Sequence, residues 1–71
     1  MAIQFKLSEA LARRRLSIVE LSDRTGISVR DLEVLRDQKA MALRLKTLDV
    51  LCRALNCTPA DLIEYGDGEE D

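Results

Sequence analysis

The chain has 71 residues, 46% of them hydrophobic, with three glycines and one proline, and this composition favours a single, mainly helical domain. It is too apolar for a disordered chain, yet no apolar run approaches the roughly 20 residues of a membrane helix, and no signal-peptide pattern opens the sequence. The formal net charge is -2 at pH 7, and it hides an excess of basic residues in most of the chain.

Acidic residues are concentrated at the C-terminus. Four of them follow Tyr65, so residues 1–66 carry 11 basic and 9 acidic groups. We therefore expect a mildly basic folded domain in residues 1–66 and a disordered acidic tail in residues 67–71. The tail either folds over the basic face, where it would compete with a nucleic acid, or only keeps the protein in solution.

Most of the side chains that enzymes use are missing. The chain contains no histidine, which is the commonest general base and the commonest metal ligand. Cys52 and Cys57 have no second pair or histidine to complete a zinc site, and no glycine-rich phosphate loop is present. We interpret both cysteines as packing residues in a reducing cytoplasm. The sequence predicts no enzyme, no metal site and no cofactor.

The first seven residues alternate between apolar and polar side chains. Ile3, Phe5 and Leu7 fall on one side, and Gln4 and Lys6 on the other. This period of two predicts a short N-terminal strand, paired with the C-terminal segment or with a second subunit. An extended arm with Phe5 inserted in the core is the alternative.

The first helix is predicted at about residues 7–15. Its acidic residue comes early and its three arginines, Arg13 to Arg15, come late, as the helix dipole favours. These arginines either stabilise the helix end or contact phosphate.

Residues 17–35 predict two short amphipathic helices, at about 18–25 and 29–37, joined by a tight turn at Gly26. Glycine reaches a left-handed backbone conformation without steric cost. Ser17 with Glu20 has the spacing of a capping box, and Ser28 caps the next helix. The pattern is helix, short turn, helix.

The remaining helices are predicted at about residues 45–55 and 59–64. Leu48, Leu51 and Leu55 repeat at helical spacing, and Thr58-Pro59 is typical of a helix start. Together these elements predict an all-α fold, a compact five-helix domain with a central helix-turn-helix and a possible short N-terminal strand.

The stretch SIVELSDRTGISVRDLEVLR resembles the Cro/repressor-type, or Xre-like, helix-turn-helix DNA-binding domains of bacteria and phages. The closing stretch LKTLDVLCRALNCTPADLIEY resembles the fourth and fifth helices of the same family. The resemblance covers residues 5–65. The family pattern of a capping hydroxyl, a Leu-small pair, Gly-Ile-Ser and two spaced leucines is present as Ser17, Leu21-Ser22, Gly26-Ile27-Ser28, Leu32 and Leu35.

The resemblance implies a sequence-specific transcriptional regulator of duplex DNA, most simply a repressor, located in the cytoplasm of a bacterium and on its nucleoid when bound. The third helix would enter the major groove. The base-reading positions are then Ser28, Val29, Arg30, Asp31 and Val34. The phosphate-contacting positions are Ser17, Lys39, Arg44 and, more weakly, Arg13 or Arg14.

We also expect a homodimer, because one small domain contacts too few base pairs for useful specificity. The candidate surfaces are the N-terminal segment and the fifth helix, with side chains Ile3, Phe5, Leu62, Ile63 and Tyr65. We expect no domain that binds a small-molecule effector within these 71 residues.

Departures from the family pattern support an alternative function. Ile18, Val29 and Val34 stand where the family often has polar residues, and they could form an apolar patch that binds another regulator, a toxin or a second copy. Glu33 and Asp37 would oppose phosphates unless they pair with nearby arginines. Gln38 replaces the family's turn glycine after the third helix.

Overall fold

A computed structural model describes residues 3–66, which form five helices and two short strands. Their order is β1 (Ile3–Phe5), α1 (Leu7–Arg14), α2 (Ile18–Thr25), α3 (Val29–Arg36), α4 (Leu45–Leu55), α5 (Pro59–Leu62) and β2 (Ile63–Tyr65). The predicted fold class is confirmed. The acidic tail predicted in residues 67–71 lies outside the described residues.

Leucine makes almost the whole core. Nine leucines and one alanine are buried, and every helix contributes at least one of them. Within residues 3–66 no polar or charged residue is buried, and no helix is long and apolar enough to cross a membrane. The buried set is Leu7, Ala10, Leu11, Leu21, Leu32, Leu35, Leu48, Leu51, Leu55 and Leu62.

The N-terminal strand pairs within the same chain. β1 runs antiparallel to β2, with Phe5 opposite Ile63 and Ile3 opposite Tyr65. The fifth helix predicted at residues 59–64 is therefore too long, since it ends at Leu62 and Ile63 has an extended backbone. The reason is that β1 needs a partner for its backbone groups, and residues 63–65 provide one.

Three helices are followed by a residue other than glycine in the left-handed conformation: Arg15 directly after α1, Asn56 directly after α4, and Gln38 two residues after α3. After each, the following amide donates to a carbonyl five residues back, as in a Schellman motif. The sequence predicts this conformation for Asn56 and not for Arg15 or Gln38. The third helix thus ends in a glycine-type turn, although it has no glycine there.

Candidate nucleic-acid interface

The start of α2 is fixed by the predicted capping box. The Ser17 hydroxyl accepts from the Glu20 amide at 3.0 Å, and the Glu20 carboxylate accepts from the Ser17 amide at 2.8 Å. Ser17 is exposed, so the first turn of α2 faces solvent with its positive dipole end. Its exposure leaves Ser17 accessible for the predicted phosphate contact, although the Glu20 carboxylate already accepts from its amide.

Two side chains of α2 hold the turn between α2 and α3. Gly26 has a φ of 79°, the left-handed conformation predicted for it. Thr25 donates its hydroxyl to the Leu21 carbonyl at 2.8 Å and accepts from the Ile27 amide at 3.1 Å. Ser22 donates to the Ile27 carbonyl at 2.6 Å. These bonds fix the direction in which α3 leaves the turn.

The N-terminal end of α3 presents charged side chains to solvent. The Ser28 hydroxyl accepts from the Asp31 amide at 3.1 Å, which caps the helix as predicted. Arg30 and Asp31 are exposed, and Arg30 takes part in none of the ion pairs found among residues 3–66. Its guanidinium is therefore free to donate to another molecule, and the Asp31 carboxylate is free to accept.

The predicted apolar patch on this face is only half exposed. Val29 and Val34 are half-buried, and Ile18 packs against the core. The apolar side chain that α2 does expose is Val19, with 56% of its surface accessible. This arrangement weakens the interpretation of the helix-turn-helix face as a protein-binding surface.

One of the two acids that would oppose DNA phosphates is paired. Arg36 lies 3.0 Å from the Asp37 carboxylate. Its hydrogen bond holds the pKa of Asp37 below the usual value, and Asp37 in turn raises the pKa of Arg36. Glu33 is exposed and forms no ion pair in the described part of the chain. Among the described residues, Glu33 and Asp31 are thus the acids of α3 that keep a negative charge without an ion pair.

The loop between α3 and α4 lies along α3. Together they border a groove of about 410 Å³ whose lining includes Asp31 and Val34 of the helix and Arg44 just before α4. Arg44 and Lys39 are both exposed. The structure thus brings one predicted phosphate-contacting residue next to two predicted base-reading residues.

The three arginines of α1 have different surroundings. Arg14 donates to the carbonyls of Leu55 and Asn56, both at 2.7 Å, and so closes the C-terminal end of α4. We therefore remove Arg14 from the predicted phosphate contacts and keep Arg13, which is exposed. Arg13 lies near Asp61, whose pKa is lowered chiefly by the Thr58 amide and further by the arginine's charge.

The predicted dimer contacts fall into two groups. Leu62 has no accessible surface, so its predicted role in an interface is wrong and it is a core residue. Ile3 and Tyr65 are 54% and 77% exposed, while Phe5 and Ile63 are half-buried against the core. The pairing of β1 with β2 brings together the four remaining candidates, Ile3, Phe5, Ile63 and Tyr65.

Two features of the chain were missed from the sequence. The Gln38 side-chain amide pairs with the backbone of Phe5, accepting from its amide at 2.9 Å and donating to its carbonyl. Cys52 and Cys57 lie at the two ends of the turn after α4, where the Cys57 amide donates to the Cys52 carbonyl. Burial, and after it the neighbouring Cys52, raises the pKa of the Cys57 thiol. A glutamine in place of a turn glycine is the only sequence signal for the first feature.

Comparison with known proteins agrees with this geometry. The family of Cro/C1-type HTH DNA-binding domains matches residues 6–68. A protein of Bacillus subtilis (strain 168), named uncharacterized HTH-type transcriptional regulator YozG, is 44% identical over 70 residues, which cover 99% of this chain and 83% of the relative. No solved structure matches the chain. The chain belongs to the family of Cro/C1-type helix-turn-helix DNA-binding domains, and it is a DNA-binding transcriptional regulator.

Proposed function

We propose that this regulator reads a specific sequence of duplex DNA with the N-terminal end of α3 and represses transcription by occluding a promoter. The observation that carries the proposal is the free, exposed guanidinium of Arg30 at the capped start of α3. A guanidinium binds guanine O6 and N7 through two hydrogen bonds, which discriminate against another base by ~1–3 kcal/mol.

The neighbours of Arg30 complete the reading surface. Ser28 keeps a hydroxyl proton to donate, although its oxygen already accepts from the Asp31 amide. The Asp31 carboxylate can accept from a cytosine amino group, and the exposed part of Val29 can contact a thymine methyl. Val34, half-buried one turn later, contributes only its outer surface.

Phosphate contacts would position α3 on the duplex. Lys39 and Arg44 are exposed on the loop beside α3, and Ser17 and Arg13 are exposed at α2 and α1. Each neutralised phosphate adds to the salt dependence of binding, because it releases condensed counterions. We infer that binding is salt-sensitive and that Glu33, one of the two acids on α3 without an ion pair among the described residues, lies away from the DNA backbone.

A two-fold symmetric site would be bound by two copies, since each copy reads one half-site. We place the protein in the bacterial cytoplasm, where the chromosome is, and no cofactor or catalytic step enters this function.

The test begins with selection of bound fragments from sheared bacterial DNA by the purified protein, followed by fluorescence anisotropy on the enriched sequence at two salt concentrations. Arg30→Ala is compared with Arg53→Ala, which removes the same charge from the exposed face of α4. We expect Arg30→Ala to lower affinity roughly tenfold to a hundredfold on the enriched sequence and little on a scrambled one.

Arg53→Ala should bind both sequences as the parent does. Absence of enrichment, or an equal loss for the two variants on both sequences, would overturn the proposal.

A further inference from the structure

Two thiols meet at the turn that follows α4. The Cys57 amide donates to the Cys52 carbonyl at 2.9 Å, and the Asn56 amide donates to the Arg53 carbonyl at 3.3 Å, with Asn56 in the left-handed conformation. These two bonds make a Schellman motif, in which the side chain of the last residue commonly contacts the side chain five residues earlier. Those residues are Cys57 and Cys52, so the backbone of the turn places one thiol against the other.

The pKa of the Cys57 thiol reflects this neighbour. Burial raises the pKa most, and the charge and the hydrogen bond of the Cys52 thiol raise it further. Asp61 adds to the increase, and Arg14 opposes it. Since a hydrogen bond between two thiols requires their sulfur atoms to be close, the electrostatics agree with the contact that the turn geometry implies.

The surroundings of the two thiols favour chemistry between them. Both thiols are half-buried and pack against the leucine core, so they are held in place and still reach solvent. Two thiolates are half of the ligands of a tetrahedral zinc site, and no group of three or more candidate ligands occurs in residues 3–66. The reaction that the pair can carry out by itself is thiol–disulfide exchange.

Other contacts fix the turn that carries the thiols. Arg14 of α1 donates to the carbonyls of Leu55 and Asn56, both at 2.7 Å. Directly after the turn, the capping box of Thr58 begins α5. The thiols therefore keep their relative position without a covalent bond, and two groups held in this way react with each other faster than with a molecule from solution.

We propose that Cys52 and Cys57 form a reversible intramolecular disulfide with a low-molecular-weight disulfide as the oxidant. One protein thiolate attacks a sulfur of the small disulfide, which gives a mixed disulfide and releases one small thiolate. The other protein thiolate attacks the protein sulfur of the mixed disulfide, which closes the bond and releases the second small thiolate. The two protons lost by the cysteines end on the two released thiols, and two electrons pass from the protein to the small disulfide.

The pair changes state only under lasting oxidation. In a reducing cytoplasm both thiols stay reduced and act as packing residues. The raised pKa of Cys57 lowers its thiolate fraction at neutral pH, and the thiolate is the attacking form, so exchange is slow there. Once formed, the disulfide constrains the unfolded chain, and the oxidised protein should unfold at a higher temperature than the reduced one.

Mass spectrometry of the full chain tests the proposal. The protein is reduced, freed of reductant and incubated with oxidised glutathione. The parent should yield a monomer that has lost two hydrogen atoms and carries no glutathione. Cys52→Ser and Cys57→Ser are the matched controls, because each keeps one thiol and should stop at the mixed disulfide with one glutathione. Dithiothreitol should return all three proteins to their starting masses.

Thermal unfolding supplies a second measurement. The oxidised parent should unfold several degrees above the reduced parent, whereas the double variant Cys52→Ser, Cys57→Ser should unfold at the same temperature before and after the treatment. The proposal would be overturned by a parent that accumulates glutathione adducts as the single variants do, that becomes linked to a second copy, or that does not react. An oxidised parent less stable than the reduced one would also overturn it, because the turn would then have to distort to close the bond.

The mass of the oxidised parent decides the outcome even if a variant fails to fold. No DNA enters the experiment, so its result is independent of the proposed function.

Discussion

The two ends of α3 have opposite chemistry. At the N-terminal end a serine cap leaves Arg30 and Asp31 exposed to solvent. At the C-terminal end Leu35 borders a groove without charged residues, and Gln38 is bonded to the backbone of β1. The contrast shows that one helix of eight residues presents charged side chains at one end and borders an uncharged groove at the other.

Packing against the core holds the two ends of α3 in a fixed relation to each other. Eight residues are too few for a helix that is stable alone, so packing must hold α3 in place. Leu32 is fully buried between the two ends, and Leu35 is buried beside it. These core leucines therefore position the charged end of α3 as well as its uncharged end.

The largest expected effect comes from Leu32→Ala, which should destabilise α3 and so disrupt both of its ends at once. Removing this fully buried side chain should cost ~2–5 kcal/mol of the free energy of unfolding, most of what so small a domain has. Leu45→Ala is the control, because the same change at a leucine that is 82% exposed should cost little. Urea denaturation measures both; equal losses for the two variants would contradict the account.

An intermediate effect is expected at the N-terminal end of α3, where we propose that DNA is read. Ser28→Ala removes the acceptor for the Asp31 amide and should cost ~1 kcal/mol of stability. Ser28→Asp keeps a cap and should leave stability near that of the parent, yet weaken DNA binding because it adds a negative charge beside phosphates. Thermal unfolding and anisotropy separate the two. A Ser28→Asp protein that binds DNA as tightly as the parent would place this end away from the duplex.

The smallest net effect is expected for Gln38→Gly, just after the C-terminal end of α3. Gln38→Gly loses two hydrogen bonds to Phe5 but also relieves the left-handed conformation at φ 63°, so its net change in stability should be within about 0.5 kcal/mol. Gln38→Ala loses the bonds and keeps the strain, and it should cost ~1 kcal/mol. A glycine variant less stable than the alanine variant would show that the conformation is not strained.

The same contrast explains what the sequence could and could not predict. The caps at Ser17 and Ser28 were predictable because each bond joins residues three apart and depends on one side-chain type. The leucine spacing likewise predicted which faces are buried. The stretch around Gly26 that resembles the family predicted the helix-turn-helix, because the turn needs a left-handed residue and glycine adopts that conformation without steric cost.

The errors and omissions depend on contacts between distant residues. The local sequence leaves open whether Arg14 contacts phosphate or stabilises the fold. Its hydrogen bonds to carbonyls 41 and 42 residues away show that it stabilises the fold. Gln38 adopts a glycine-like conformation, and its side-chain amide accepts from the backbone amide and donates to the backbone carbonyl of Phe5, 33 residues earlier. The overlong α5 has the same origin, since residues 63–65 become a strand only when β1 lies beside them.

The most direct test of the central claim measures the affinities of the parent, Arg30→Ala and Arg53→Ala for the preferred sequence and for a scrambled one. The account predicts that Arg30→Ala weakens binding to the preferred sequence and changes binding to the scrambled one little, and that Arg53→Ala binds both sequences as the parent does. It would be contradicted if Arg30→Ala bound the preferred sequence as the parent does, or if it lost as much affinity for the scrambled sequence.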